Sequence, residues 1–207
     1  MILALVGHPF KYEVEATVKL FFPARHFTFA DSLPDGTTDD LLITQRTRTA
    51  DRLLFSVQLK KGGSRHDQSG SLPPDAPDTA QEHLLCVLLY QLLTAATGIT
   101  PRWGMMTGIR PVKMLLGRLL AGETEAEAAD FLRREYHVSE DRLSLALETA
   151  RTQRPLLLPF DAKTVSLYVS VPFCPTRCSY CSFVSHAIAS AGKLIPDYVR
   201  CLCRELS

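Results

Sequence analysis

Apolar residues fall along the first sixty positions in two rhythms. Ile2 to Val6 is an unbroken apolar run closed by Gly7, His8 and Pro9, which predicts a short buried strand. From Tyr12 to Phe22, Val14, Val18 and Phe21 or Phe22 recur at helical spacing, and Pro23 ends the run. His26 to Ala30 predicts another strand. Leu41 to Thr47 and Leu53 to Leu59 predict two more, with the TRTAD stretch between them as a candidate hairpin turn. Residues 1–60 therefore read as a small α/β domain, a sheet with one covering helix.

The rhythm then changes. Residues 61–79, KGGSRHDQSGSLPPDAPDT, are rich in Gly, Ser, Pro and Asp and read as a linker or long surface loop. Residues 80–160 read as a helical region. Ala80 to Ala96 is apolar on several sides (Leu84, Leu85, Leu88, Leu89, Leu92), and Cys86 within it reads as a small buried hydrophobe. Pro111 suits the first position of a second helix reaching Leu120. Thr124 with Glu127 three residues on is a capping-box pattern for a third, reaching about Tyr136. Ser139, with Glu140 and Asp141 in the first turn, opens a fourth that carries Leu143, Leu145 and Leu147 and ends near Gln153.

Between the first two of these helices lies RWGMMTGIRPVK, residues 102–113. Gly104 and Gly108 with Arg102, Arg110 and Lys113 could hold an anion at a helix start. The alternative is a structured interhelical turn whose basic residues are solvated or paired internally. The glycine spacing and Lys-Ser/Thr pair of a phosphate loop are absent.

Residues 154–163 (RPLLLPFDAK) link this region to a last segment, 161–207. There Val165, Leu167, Val169 and Val171 alternate with Ser166, Tyr168 and Ser170, which predicts a strand with one apolar face, ended by Pro172. A loop follows, and then a helix with Tyr198, Leu202 and Leu206 on it.

Composition narrows the picture further. The chain has 207 residues, 46% hydrophobic and 22% charged, as globular material has. Lys plus Arg number 23 and Asp plus Glu 22, so bulk charge calls for neither nucleic acid nor an anionic membrane. The apolar run at the N-terminus is too short for a signal peptide or a membrane span. The expected address is cytoplasmic, where cysteines more often serve metals or catalysis than disulfides.

That matters for YVSVPFCPTRCSYCSF, residues 168–183. It holds three of the six cysteines, Cys174, Cys178 and Cys181, in a C-x3-C-x2-C spacing. A disulfide would leave one thiol over. Structural zinc wants four ligands, the fourth candidates being His186, Cys201 or Cys203. Closely spaced thiolates on an irregular loop also suit an iron–sulfur cluster, and three thiolates on four irons leave one iron open to a substrate. Spacing alone favours the cluster and leaves zinc or unliganded thiols as alternatives.

The flanking residues carry a resemblance. Tyr168, Pro172 and Phe173 before the first cysteine, and Tyr180 before the third, make the stretch resemble the signature of the radical S-adenosylmethionine (SAM) superfamily. The match is to its oxygen-independent coproporphyrinogen III oxidase group. GHPF at 7–10, WGMMTGIRPVK at 103–113 and LRREYHVSEDRL at 132–143 also resemble the N-terminal extension of that group's coproporphyrinogen dehydrogenase (HemZ) branch, which carries a domain ahead of the barrel.

The resemblance implies that Cys174, Cys178 and Cys181 ligate a [4Fe-4S] cluster. It implies that Tyr168 contacts SAM near the cluster and that Tyr180 lies beside the adenine; the alternatives are a polar-face strand residue and a packing aromatic. It implies a (β/α) barrel, of which residues 161–207 would be the first strand, cluster loop and first helix, so the chain is expected to be the front portion of a longer enzyme and inactive alone. The implied reaction is oxidative decarboxylation of coproporphyrinogen III to protoporphyrinogen IX. One electron passes to SAM from a donor such as flavodoxin or ferredoxin, and the resulting 5′-deoxyadenosyl radical takes a hydrogen from a propionate β-carbon. Phe183 stands where some oxidases carry a fourth cysteine, a pattern nearer the haem-chaperone relatives. Haem binding or transfer is therefore the alternative function, and a zinc-stabilised binding module a further one.

Overall fold

The computed structural model describes residues 1–33, 40–108, 110–157, 163, 165–178 and 181–207. They divide into two compact units, Met1–Pro159 and Phe160–Ser207.

The first unit is built on a five-stranded mixed sheet. Its strands are β1 (Ile2–Val6), β2 (Thr28–Ala30), β3 (Leu41–Arg48), β4 (Leu53–Lys61) and β5 (Ser64–Leu72), in the order β2-β1-β3-β4-β5. Strand β1 runs parallel to both neighbours, and β3, β4 and β5 form an antiparallel meander. Period-two alternation decides which face is inside. On β4, Leu53, Phe55, Val57 and Leu59 all point to one side and are at most 1% exposed. Each such side chain contributes about 1.5–3 kcal/mol by leaving water.

Helices α1 (Lys11–Phe21) and α2 (Asp78–Thr97) bring the covering residues. Val14, Val18 and Phe21 of α1, and Leu85, Leu88, Leu89, Leu92 and Leu93 of α2, share one core with Leu3, Leu42 and Phe55. The apolar surface of α2 is broad because it packs against α1, β4 and β5 together.

The other helices are α3 (Pro111–Leu120), α4 (Glu125–Tyr136) and α5 (Glu140–Leu157). Their core holds Leu115, Leu119, Leu132 and Leu143, with Ala128, Ala146 and Ala150 as small residues where helices meet closely. Thr124 and Glu127 form the expected capping box: the Thr124 hydroxyl accepts from the Glu127 N–H at 3.2 Å, and the Glu127 carboxylate accepts from the Thr124 N–H at 2.8 Å. Helix α5 continues past Gln153 to Leu157, with Pro155 in its last turn.

Three expectations are corrected. Residues 64–72 are not linker but strand β5, paired with β4 from Lys61↔Ser64 to Leu53↔Leu72 around the Gly62-Gly63 turn. Its side chains are mostly polar, so the strand rests on backbone hydrogen bonds rather than on an apolar stripe. The second correction follows: the sheet domain does not stop at residue 60, since α2 completes its core. The third concerns residues 165–171, which form no strand. Val165, Leu167 and Val171 are 88%, 71% and 66% exposed, and no described strand pairs with them. Alternation makes a strand only where a ladder partner and a surface for the apolar face exist.

The second unit contains β6 (Phe173–Cys174), β7 (His186–Ala187), α6 (Ile188–Ala191), a 3₁₀ turn (Gly192–Leu194) and α7 (Ile195–Glu205). Strands β6 and β7 pair in parallel, Phe173 with His186 and Cys174 with Ala187. The described residues form no closed barrel. No helix among them is long and apolar enough to cross a membrane.

Candidate metal centre

In the second unit the chain is pinned just ahead of the first cysteine. The Tyr198 hydroxyl of α7 donates to the Ser170 carbonyl, and the Tyr198 ring meets Phe173 edge-on, 5.5 Å between centroids. The His186 N–H donates to the Pro172 carbonyl at 2.7 Å, closing the β6–β7 pair. Tyr198 and His186 thus hold the strand that ends in Cys174.

Cys174 and Cys181 are half-buried and Cys178 is exposed; all three thiols are free. The Cys181 N–H donates to the Cys178 carbonyl at 3.0 Å. The Cys181 thiol lies 3.9 Å from the Phe183 carbonyl, a weak contact. Among the described residues, no three His, Cys, Asp or Glu side chains gather into a group that could hold a metal ion. Donor type and irregular backbone suit an iron–sulfur cluster; a gathered triad is not what these residues form.

The remaining sequence candidates are scattered. Tyr168 is 79% exposed on the extended stretch before Pro172. Tyr180 lies outside the described residues. The ring of His186 is tilted beside Phe173 at 6.5 Å, and Cys201 and Cys203 are exposed on α7.

In the first unit residues 102–105 form a structured turn ahead of α3. Gly104 has φ +60°, and a Cβ there would sit 1.7 Å from the Tyr136 carbonyl, so only glycine permits this approach. The Met105 N–H donates to that same carbonyl at 2.9 Å. The Ser139 N–H and hydroxyl both donate to the Arg102 carbonyl, and the Arg102 guanidinium pairs with Asp141. Met105 enters the sheet core and Met106 the helical core. Arg110 and Lys113 are exposed at the start of α3.

The GHPF stretch is tied to β3. The Gly7 carbonyl accepts from Arg46 Nε at 2.8 Å, and Arg46 Nη1 reaches Gln81 Oε1 of α2 at 2.8 Å. The Thr44 hydroxyl donates to the Ala4 carbonyl, so it accepts from His8 Nε2 at 2.9 Å. That leaves His8 Nδ1 deprotonated, buried and without a partner among the described residues. Burial holds His8 below the ordinary imidazole range; the Thr44 carbonyl opposes this and the Arg46 charge adds to it.

Cys86 is half-buried rather than a plain core residue, and accepts a long hydrogen bond from Thr17 Oγ1 at 3.6 Å. Burial pushes its thiol up to about 11. Sequence reading missed that Cys86 lines a cavity with Tyr12, Glu13 and Glu82. No local motif marks that cavity, because its wall is assembled from α1, α2 and the 105–108 segment.

No family model matches the chain. Over 182 residues it is 29% identical to the oxygen-independent coproporphyrinogen-III oxidase-like protein HemZ of Bacillus subtilis, covering 84% of this chain and 36% of that protein. Over 53 residues it is 36% identical to the heme chaperone HemW of Mycobacterium tuberculosis, covering 26% of this chain and 14% of that protein. The chain therefore spans about a third or less of the length of the curated relatives it matches. A solved structure, protein VC0702 from Vibrio cholerae, aligns with 77% of the chain at 11% identity and a TM-score of 0.28, too low to carry an argument about fold. The chain is distantly homologous to the HemZ-like coproporphyrinogen oxidases, and through them linked to the radical SAM superfamily.

Proposed function

We propose that this chain is part of a radical SAM enzyme of porphyrin synthesis. In a protein of the relative's full length, that enzyme would oxidatively decarboxylate coproporphyrinogen III to protoporphyrinogen IX without oxygen. The observation that carries this reading is the similarity to HemZ along 84% of the chain. It is supported by three free cysteines at the C-x3-C-x2-C spacing.

Cys174, Cys178 and Cys181 would hold a [4Fe-4S] cluster. When bound, such a cluster supplies the electron that splits SAM to a carbon radical. The protein's own part is to present the thiols and to hold the chain on either side of them. Tyr198 and His186 anchor the strand that leads into Cys174, and the Cys181 N–H ties to the Cys178 carbonyl. Gathering the three thiols on one cluster would require the loop to close around it. Tyr168 and Tyr180 would meet SAM, with porphyrinogen as substrate and flavodoxin or ferredoxin as the electron source.

Anaerobic reconstitution of the chain with iron and sulfide tests the ligand assignment. Brown iron–sulfur absorbance is expected in the wild type, with loss of most of the iron in Cys178→Ser. Retention of full iron by Cys178→Ser would refute the assignment, and zinc held in place of iron would favour the zinc-stabilised module. Activity is read on the longer protein as CO2 released from coproporphyrinogen.

The heme chaperone similarity, with Phe183 two residues after the third cysteine where some oxidases carry a fourth, favours a second reading. In that reading the full protein binds haem stoichiometrically and releases no CO2.

A further inference from the structure

The Met1–Pro159 unit contains a cavity of about 420 Å³ that the cysteine chemistry does not use. Tyr12 and Glu13 of α1, Glu82 and His83 of α2, Met105 of the interhelical turn and Tyr136 at the end of α4 line it. Its size is that of a small-molecule pocket.

The charges on its wall are unbalanced. Glu13 and Glu82 both face it, and no Lys or Arg is among the described lining residues. Neither carboxylate has a hydrogen bond or ion pair with a described residue. Burial, and then the Glu13 charge, hold Glu82 above the ordinary carboxylate range, with His83 opposing. His83 is itself engaged, its Nε2 3.2 Å from Glu135 and its ring edge-on to Tyr136 at 5.4 Å. Two carboxylates on one wall with no Lys or Arg beside them carry an electrostatic cost that a bound positive charge would relieve.

The rest of the lining sets the kind of cation. Hard divalent ions ask for six or more oxygen ligands in a tight shell. This cavity offers two carboxylates, two threonine hydroxyls, tyrosine rings, a thiol and two thioethers around a space far larger than an ion. Aromatic faces attract ammonium groups, and the methionine thioether takes up irregular apolar shapes. The same carboxylates would repel the propionates of a porphyrinogen.

We propose that this cavity binds a small organic ammonium, one or two protonated amines on an apolar chain, between the Glu13 and Glu82 carboxylates.

Calorimetric titration of the full chain with 1,4-diaminobutane tests this. Saturable binding is expected, weakened by about tenfold or more in Glu13→Gln and in Glu82→Gln. The mono-N-acetyl derivative, which has lost one charge, should bind more weakly than the diamine by a similar factor. Both variants replace half-buried carboxylates by isosteric amides, and circular dichroism melts confirm that they remain folded. Absence of binding up to about 10 mM diamine would overturn the proposal, as would equal affinity in the wild type and both variants. Saturable magnesium or calcium binding that both variants lose, with no heat from the diamine, would replace it with a metal site.

Discussion

The Tyr90 ring of α2 lies flat on the His137 imidazole, with centroids 4.8 Å apart and planes 2° from parallel. His137 ends α4 in the left-handed region, φ 57°, and its N–H donates to the Arg133 carbonyl. The stack therefore fastens the α4–α5 turn to the long helix that covers the sheet. Burial first, and then the nearby His83, hold His137 below the ordinary imidazole range, with Glu135 opposing.

A pH dependence of stability follows from His137 and His8 together. Unfolded, each takes up a proton near pH 6.5, and folded only at lower pH. Between those values the unfolded chain binds more protons, so folding stability is fully present above about pH 6.5 and declines as pH falls below it. Urea midpoints at pH 7.5 and pH 5.5 should differ in that direction, and His8→Gln with His137→Gln should flatten the difference. An unchanged difference in the double variant would exclude these two histidines as its source.

Gly104→Ala should destabilise the first unit by about 2–4 kcal/mol, because the new methyl meets the Tyr136 carbonyl in a backbone conformation that L residues avoid. Urea denaturation measures it. A loss below about 0.5 kcal/mol would mean that the turn moves aside freely.

Particular elements show what the sequence made legible. Regular periodicity and capping residues identify α1, α3 and α4, and Leu53, Phe55, Val57 and Leu59 on alternate positions identify β4. Strand β5 escapes because its register is carried by backbone pairing with β4, and because its inward position opposite the α2 side chains of Leu84 and Leu88 is Gly70. The alternation at 165–171 misleads for the converse reason, since its pattern is a strand's but its apolar side chains stay exposed. For the candidate site, cysteine spacing is plain in one dimension. Whether three sulfurs meet depends on loop closure, which spacing does not encode.

Thr124→Ala should cost about 1 kcal/mol by removing the hydroxyl that accepts from the Glu127 N–H. Thr124→Ser should retain most of that stability. Equal losses in both variants, read from chemical denaturation, would show that the threonine methyl matters rather than the cap.

The thiols should separate by reactivity. Cys178, Cys201 and Cys203 are exposed, while burial raises the Cys86 thiol to about 11. Alkylation at pH 8, followed by peptide mass spectrometry, should label those three first and Cys86 last. Early labelling of Cys86 in folded protein would contradict its placement beside Thr17.

Met105 and Met106 are adjacent in the chain yet belong to different cores, one shared with the sheet and the other with α3, α4 and α5. A single peptide bond is thus a common wall between two hydrophobic interiors. Neither side can melt without pulling a side chain from the other, so calorimetry of this unit should record one heat-absorption peak. A protease that cuts at this wall would loosen both interiors in one event.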